Sequence, residues 1–295
     1  MKIINASKIT DTVAELCMRA NYTLRPDVKK AIQKAAKREK GLAGYAMDSI
    51  LKNIEIAEKG SIAMCQDTGM AVVFLEIGQD LHIKGNLEKA IQEGVRSGYR
   101  KGCLRASVVE DPFGKRVNTG DNTPAVIHTK VVPGSRIKIT VLPKGFGSEN
   151  TSTIRMFLPG EKSGAIEDFI VETVKKFGPN ACPPLIVGVG IGGTSEKAMV
   201  IAKEALLKPV SRVQPALRKG RARSRPDIDR GGCQVSELAN RLLRKINALG
   251  IGPGGFGGKT TALGVNIETF PTHIAGLPVA INISCWALRK ATTTL

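Results

Sequence analysis

The chain has 295 residues, 42% of them hydrophobic and 24% charged, and a formal net charge of +18. That is enough chain for a full core in one large domain or two lobes, with the composition of a globular protein. No apolar run approaches a membrane helix, Met1-Lys2-Ile3-Ile4-Asn5 lacks the shape of a signal peptide, and aromatics at 4% are too sparse for stacking on bases, so a cytoplasmic protein with no membrane partner is expected and nucleic acid is disfavoured.

Residues 6–20 carry Ile9, Val13, Leu16 and Cys17 at helical spacing, which makes Cys17 a core residue. Two more helices are expected over 25–38 and 43–59, with Gly60 as a stop. The loop Met64-Cys65-Gln66-Asp67-Thr68-Gly69 then feeds a buried strand over 70–77. A helix over 86–101 ends at Gly102, and a long loop, 110–123, follows; loops of that length are usually functional or mobile. Strands over 125–132 and 136–142 joined at Pro133-Gly134-Ser135 read as a hairpin, with His128 as a structural residue inside the first. Lys144-Gly145-Phe146-Gly147-Ser148-Glu149-Asn150 has the glycines and positive charge of an anion-binding loop, without the spacing of a P-loop or a dinucleotide fingerprint.

A helix over 162–177 precedes Cys182-Pro183-Pro184 and an apolar strand over 185–189. Gly190-Ile191-Gly192-Gly193-Thr194-Ser195 turns into a helix over 196–207, whose start would attract anions. Strands alternating with helices argue an α/β fold. Residues 209–235, rich in Arg and Gly, show no helical or strand period and read as an atypical basic loop containing Cys233; residues 208–245 hold +8 of the net charge. A helix over 236–249, a second glycine-rich loop over 250–259, and strands over 261–268 and 277–283 lead to Ser284-Cys285-Trp286.

Cys65, Cys182 and Cys285 share one setting, each at the junction of a strand and a loop. Three thiolates far apart in sequence suit a [4Fe–4S] cluster with one iron left open; a zinc site, or a buried cysteine beside an Asp-Thr turn, are the alternatives.

Four stretches taken together resemble one family. They are Cys65-Gln66-Asp67-Thr68-Gly69, Asn180-Ala181-Cys182-Pro183-Pro184 with its glycine-rich tail, Leu249-Gly250-Ile251-Gly252-Pro253, and Pro271-Thr272-His273-Ile274-Ala275 leading to Asn282-Ile283-Ser284-Cys285. The family is the alpha subunit of class I, iron–sulfur fumarate hydratases, with the tartrate dehydratase alpha subunit as close relative. The resemblance implies a [4Fe–4S] cluster on Cys65, Cys182 and Cys285, with Cys17, Cys103 and Cys233 at no ligand position. It implies Asp67 and His273 as catalytic residues, and Gln66, Arg105 and Gly145 as contacts of a dicarboxylate substrate. The fold it implies is a helical cap over 1–60 and two α/β lobes, 61–160 and 161–295, around the cluster. It also implies a beta subunit that completes the active site and an activity of reversible fumarate hydration. Pro271-Thr272-His273-Ile274 resembles the fumarate form, whereas Cys285-Trp286 resembles the tartrate form.

Two other classes stay open: nucleic-acid binding through 209–235, and an iron–sulfur scaffold or sensor without catalysis. The family has acidic, helix-forming text where this chain has 209–235, so a compensated frameshift is a further reading of that segment.

Overall fold

A computed structural model describes residues 2–161, 163–210 and 226–295. Strand β1 (Lys2–Asn5) leads into helices α1 (Ala6–Tyr22), α2 (Pro26–Ala36) and α3 (Gly41–Gly60). Then come β2 (Met70–Gly78), β3 (Leu81–Lys84), α4 (Leu87–Lys101), β4 (Val126–Val132), β5 (Ile137–Lys144), the single turn α5 (Phe146–Glu149) and β6 (Thr153–Phe157). The chain continues through α6 (Ser163–Phe177), β7 (Leu185–Gly192), α7 (Ser195–Leu207), α8 (Pro226–Ala248), β8 (Ala262–Phe270), β9 (Leu277–Ser284) and β10 (Ala291–Thr294). The expected α/β class is what forms. Two compact units result: Met1–Arg25, Lys52–Phe146 and Arg289–Leu295 make the first, and Pro26–Leu51 with Gly147–Leu288 make the second. The units interleave along the chain. Among the described residues, no helix is long and apolar enough to cross a membrane.

In the first unit the sheet order is β10-β5-β2-β4. The expected hairpin of β4 and β5 does not form, because β2 lies between them, parallel to β4 and antiparallel to β5. The reason is burial. Ala71, Val72, Val73, Phe74 and Leu75 are all buried, so β2 presents apolar side chains to both faces and takes the centre, while the more polar β4 takes an edge. Pro133-Gly134-Ser135 crosses the end of β2, where Gly78 N–H donates to Arg136 O at 2.8 Å and Asp80 N–H to Gly134 O at 3.0 Å. His128 is structural as expected, stacked on Phe74 with ring centroids 5.0 Å apart. Helices α1 and α4 bury Ile9, Val13, Leu16, Ile91 and Val95 against β2 and β5. Gly94 and Gly98 let α4 come close: a Cβ at either would lie 2.7 Å from a carbonyl oxygen of α1, Thr10 O or Ala14 O. Cys17 is fully buried in this core, and burial pushes its thiol up to about 12.

In the second unit the order is β6-β9-β7-β8, with β7 parallel to β8 and antiparallel to β9. The glycines of β7 fall on alternate residues. Val187 and Val189 point into a core with Ile170 and Val174 of α6 and Leu242 and Ile246 of α8. Gly188 and Gly190 point the other way, and a Cβ on them would strike Ala202 O and Ala198 O of α7. The strand therefore runs on to Gly192, past the expected end at 189, and the turn sits at Gly192-Gly193, with φ of 93° and 74°. Gly190→Ala should lower stability by on the order of 1–3 kcal/mol, because the backbone of α7 must move. Gly164→Ala, at an open position with nothing within 4 Å, should stay within about 1 kcal/mol of wild type. Urea midpoints of the two variants test this; an unchanged Gly190→Ala midpoint would contradict the packing.

Residues 211–225 of the expected basic loop lie outside the described residues. The remainder is corrected: α8 begins at Pro226, a residue suited to the first turn, and not at 236. Val235 extends into the core the helical period of Leu238, Ala239, Leu242 and Ile246, which lies within the expected helix.

Candidate active site

In the first unit the loop 64–69 is held on several sides. Met64 N–H donates to Asn21 O at 3.1 Å, and Asn53 Nδ2 donates to Met64 O at 2.8 Å. The Thr68 hydroxyl donates to Arg105 O at 2.9 Å. The Tyr99 hydroxyl lies 2.9 Å from both Thr68 O and Gly69 O, and Asn122 Nδ2 donates to Gly69 O at 3.1 Å. Burial of Tyr99 raises its phenol far above the ordinary range, so it stays a neutral donor. Cys65, Gln66 and Asp67 are thus carried on a backbone whose own polar groups are satisfied, with Cys65 and Asp67 half-buried and Gln66 exposed. Cys65 Sγ lies 3.6 Å from Gln66 Oε1.

Each Asp67 oxygen takes one backbone N–H: Gly69 donates to Oδ1 at 2.9 Å and Phe146 to Oδ2 at 2.8 Å. The expected anion-binding loop after β5 thus binds a carboxylate of this chain. A side chain on Gly145 would intrude here, since its Cβ would lie 3.1 Å from Asp67 Oδ2 and 3.4 Å from Arg289 Nη2. Arg105 is exposed, its backbone fixed by Thr68, and no ion-pair partner engages its guanidinium among the described residues. The long loop beside it is folded. Val109 bridges Asn118, and Asp121 accepts from Arg96 Nε at 2.6 Å and from the Thr123 hydroxyl at 2.6 Å. Burial opposes ionisation of Asp121, but those two donors outweigh it and hold the carboxyl at about 2.

In the second unit, Ile186 of β7 pairs with Ser284 of β9, so Leu185 stands opposite Cys285 and Cys182 lies three residues before it. Both cysteines are therefore at the same end of one sheet, beyond adjacent antiparallel strands. A 3-10 turn over Gly178–Ala181 delivers Cys182 with φ of 54°, a left-handed conformation that costs a non-glycine residue on the order of 1 kcal/mol. Cys182 is exposed and Cys285 half-buried. Among the described residues, no three His, Cys, Asp or Glu side chains are gathered into a metal-holding group. Cys65, Cys182 and Cys285 are each soft donors that solvent can reach, the donor type an iron–sulfur cluster takes, whereas Cys17 is deeply buried.

The structure does not bring His273 to that end. It lies in the loop 271–276 before β9, whereas Cys285 follows β9, and eight residues of strand, roughly 25 Å, separate the two ends. The loop closes on itself: Ala275 N–H donates to His273 Nδ1 at 3.1 Å, and the Thr272 hydroxyl donates to Gly276 O at 2.8 Å. The expected anion site at the start of α7 is filled from within, since the hydroxyls of Thr194 and Ser195 donate to the Glu196 carboxylate at 2.7 and 3.4 Å. The second glycine loop likewise encloses a carboxylate of the chain: Glu39 accepts from Lys259 N–H at 3.0 Å and from the Thr260 hydroxyl at 2.6 Å.

Sequence patterns did not point to Asn21, Asn53, Tyr99, Asn122 or Arg289. A polar residue on an otherwise apolar helical face, as with Asn21 and Asn53, was the available signal. The set of supports around the 64–69 loop spans the chain from Asn21 to Arg289, and similarity to known proteins extends as far. The chain is 38% identical over 291 residues to the putative L(+)-tartrate dehydratase subunit alpha of Methanocaldococcus jannaschii, covering 96% of each. To the L(+)-tartrate dehydratase subunit alpha of Escherichia coli K12 it is 28% identical over 289 residues, 97% of this chain and 90% of that protein. The fumarate hydratase (Fumerase) family model matches residues 10–294, so this chain, with its Cys65, Cys182 and Cys285 segments all inside the match, belongs to that family.

Proposed function

We propose that the chain is the cluster-bearing alpha subunit of an iron–sulfur hydro-lyase that interconverts fumarate and malate. The observation that carries this reading is the placement of Cys182 and Cys285 at one end of one sheet. With Cys65 they would hold a [4Fe–4S] cluster and leave one iron without a protein ligand. That iron, when the cluster is bound, supplies Lewis acidity toward the substrate hydroxyl and carboxylate.

The chain's own residues then have separable tasks. Arg105, with an unengaged guanidinium, presents a fork to a substrate carboxylate. Gln66 offers an exposed amide next to Asp67 in the chain, and Gly145 keeps space open next to Asp67. Asp67 retains lone pairs on both oxygens for the substrate hydroxyl. In elimination the C3 proton passes to a base and the C2–O bond breaks with its electron pair on oxygen; the hydroxyl, held through its O–H by the Asp67 carboxylate, leaves as water once the proton taken from C3 is returned to it. The excess positive charge favours approach of a dianion. His273 is given no step at this chain's own cysteine end. The base comes from a beta subunit, a reading supported by the names of the relatives, which are alpha subunits.

Tartrate is the second reading, favoured by those same names and by Trp286 after Cys285. Co-expression with the beta subunit under anaerobic conditions tests both. Fumarate should exceed tartrate by at least about tenfold in kcat/KM, a difference of ~1.4 kcal/mol in transition-state binding. Equal or faster tartrate turnover would reverse the preference, and no turnover of either would remove the hydro-lyase reading.

A further inference from the structure

Arg289 carries a guanidinium buried to 2% exposure, four residues past Cys285 and just before β10. A guanidinium has five N–H donors and stays charged at every physiological pH. Among the described residues, its hydrogen bond runs from Nη1 to Asn21 Oδ1 at 2.8 Å, while Nε is buried with no partner. Asn21 is itself fully buried, with Nδ2 donating to Cys17 O at 2.9 Å, and its own carbonyl receives Met64 N–H from the cysteine loop. A buried charge needs a compensating one. Across Gly145 from Nη2 stands the Asp67 carboxylate.

We propose that Arg289 is a positioning residue for Asp67: anchored by Asn21, it faces the carboxylate across Gly145 and fixes the orientation that hydration requires. This rests on the function proposed above, in which Asp67 meets the substrate hydroxyl. The same arrangement explains the glycine at 145, because any side chain would enter the space between the two charged groups. Arg289 does not touch substrate. It sets where one Asp67 oxygen points, while the Phe146 and Gly69 N–H groups each hold one oxygen of the carboxylate.

The test uses the full chain assembled with its beta subunit and loaded anaerobically. Arg289→Gln should lower kcat by roughly 10²–10³-fold and move KM by less than about threefold, because transition-state and not ground-state binding is lost. Arg289→Lys, which keeps a charge, should recover at least about tenfold of that loss. Asn21→Ala, which removes the anchor of Arg289 together with the bond to Cys17 O, should reduce kcat by an intermediate factor. Iron and sulfide content per chain is measured for every variant, and kcat is expressed per loaded site. Unchanged kcat per loaded site in Arg289→Gln would overturn the proposal and leave the hydro-lyase reading intact. If Arg289→Gln does not accumulate, Arg289→Lys and Asn21→Ala decide: wild-type kcat per loaded site in both overturns it. A wild-type assembly without turnover would instead sink the underlying function.

Discussion

Cys182→Ser is expected to abolish iron and sulfide binding, with Cys65→Ser and Cys285→Ser behaving alike, while Cys17→Ser and Cys103→Ser keep near-normal content. The asymmetry follows from where the thiols stand. A cluster needs thiolates that iron can reach. Burial pushes the Cys17 thiol up to about 12 and walls it off among the α1 and α4 side chains. Cys103 is exposed, but it sits at a left-handed turn just after α4 and matches no ligand position of the family. Cys182 and Cys285 share a strand end, so losing either leaves that end with a single donor. Serine is nearly isosteric and cannot supply the soft ligand. The measurement is iron and acid-labile sulfide per chain after anaerobic reconstitution. A full complement in Cys182→Ser would refute the ligand assignment.

The isolated chain should turn over fumarate at least about 10⁴-fold more slowly than the chain with its beta subunit. Groups that act as one catalytic unit fail together, so removing some of them is grossly non-additive. In this chain Asp67 and Arg105 can hold a hydroxyl and a carboxylate, but the reading supplies the C3 base from the partner. Titrating the cluster-loaded chain with purified beta subunit should raise the rate to a plateau at a fixed ratio. Substantial turnover before any addition would show that this chain holds its own base, and would end the two-subunit reading.

Local patterns fared well where one short-range preference dominated. The periods of α1, α4 and α6, the central apolar run of β2, and the three cysteine segments were legible because each depends on neighbours a few residues away. Partnership across the chain was not. The two strands around Pro133-Gly134-Ser135 looked like a hairpin, and only the competition for burial put β2 between them. The glycines of β7 looked like a turn, whereas the backbone of α7 demands them inside a strand. One glycine-rich loop and a helix start looked like anion sites, yet Asp67 and Glu196 fill them, and a carboxylate distant in sequence or merely adjacent looks the same in a linear text.

By itself the sequence determined the α/β class, the family, the cysteine segments and the presence of Asp67 and Arg105 beside them, since residue identity and short spacing are enough for each. The tertiary structure alone decided that Cys182 and Cys285 share a strand end, that His273 stands at the opposite one, and that a buried Arg289 faces Asp67 across Gly145. Those outcomes depend on strand order, register and desolvation, which are settled only when distant segments compete for the same core.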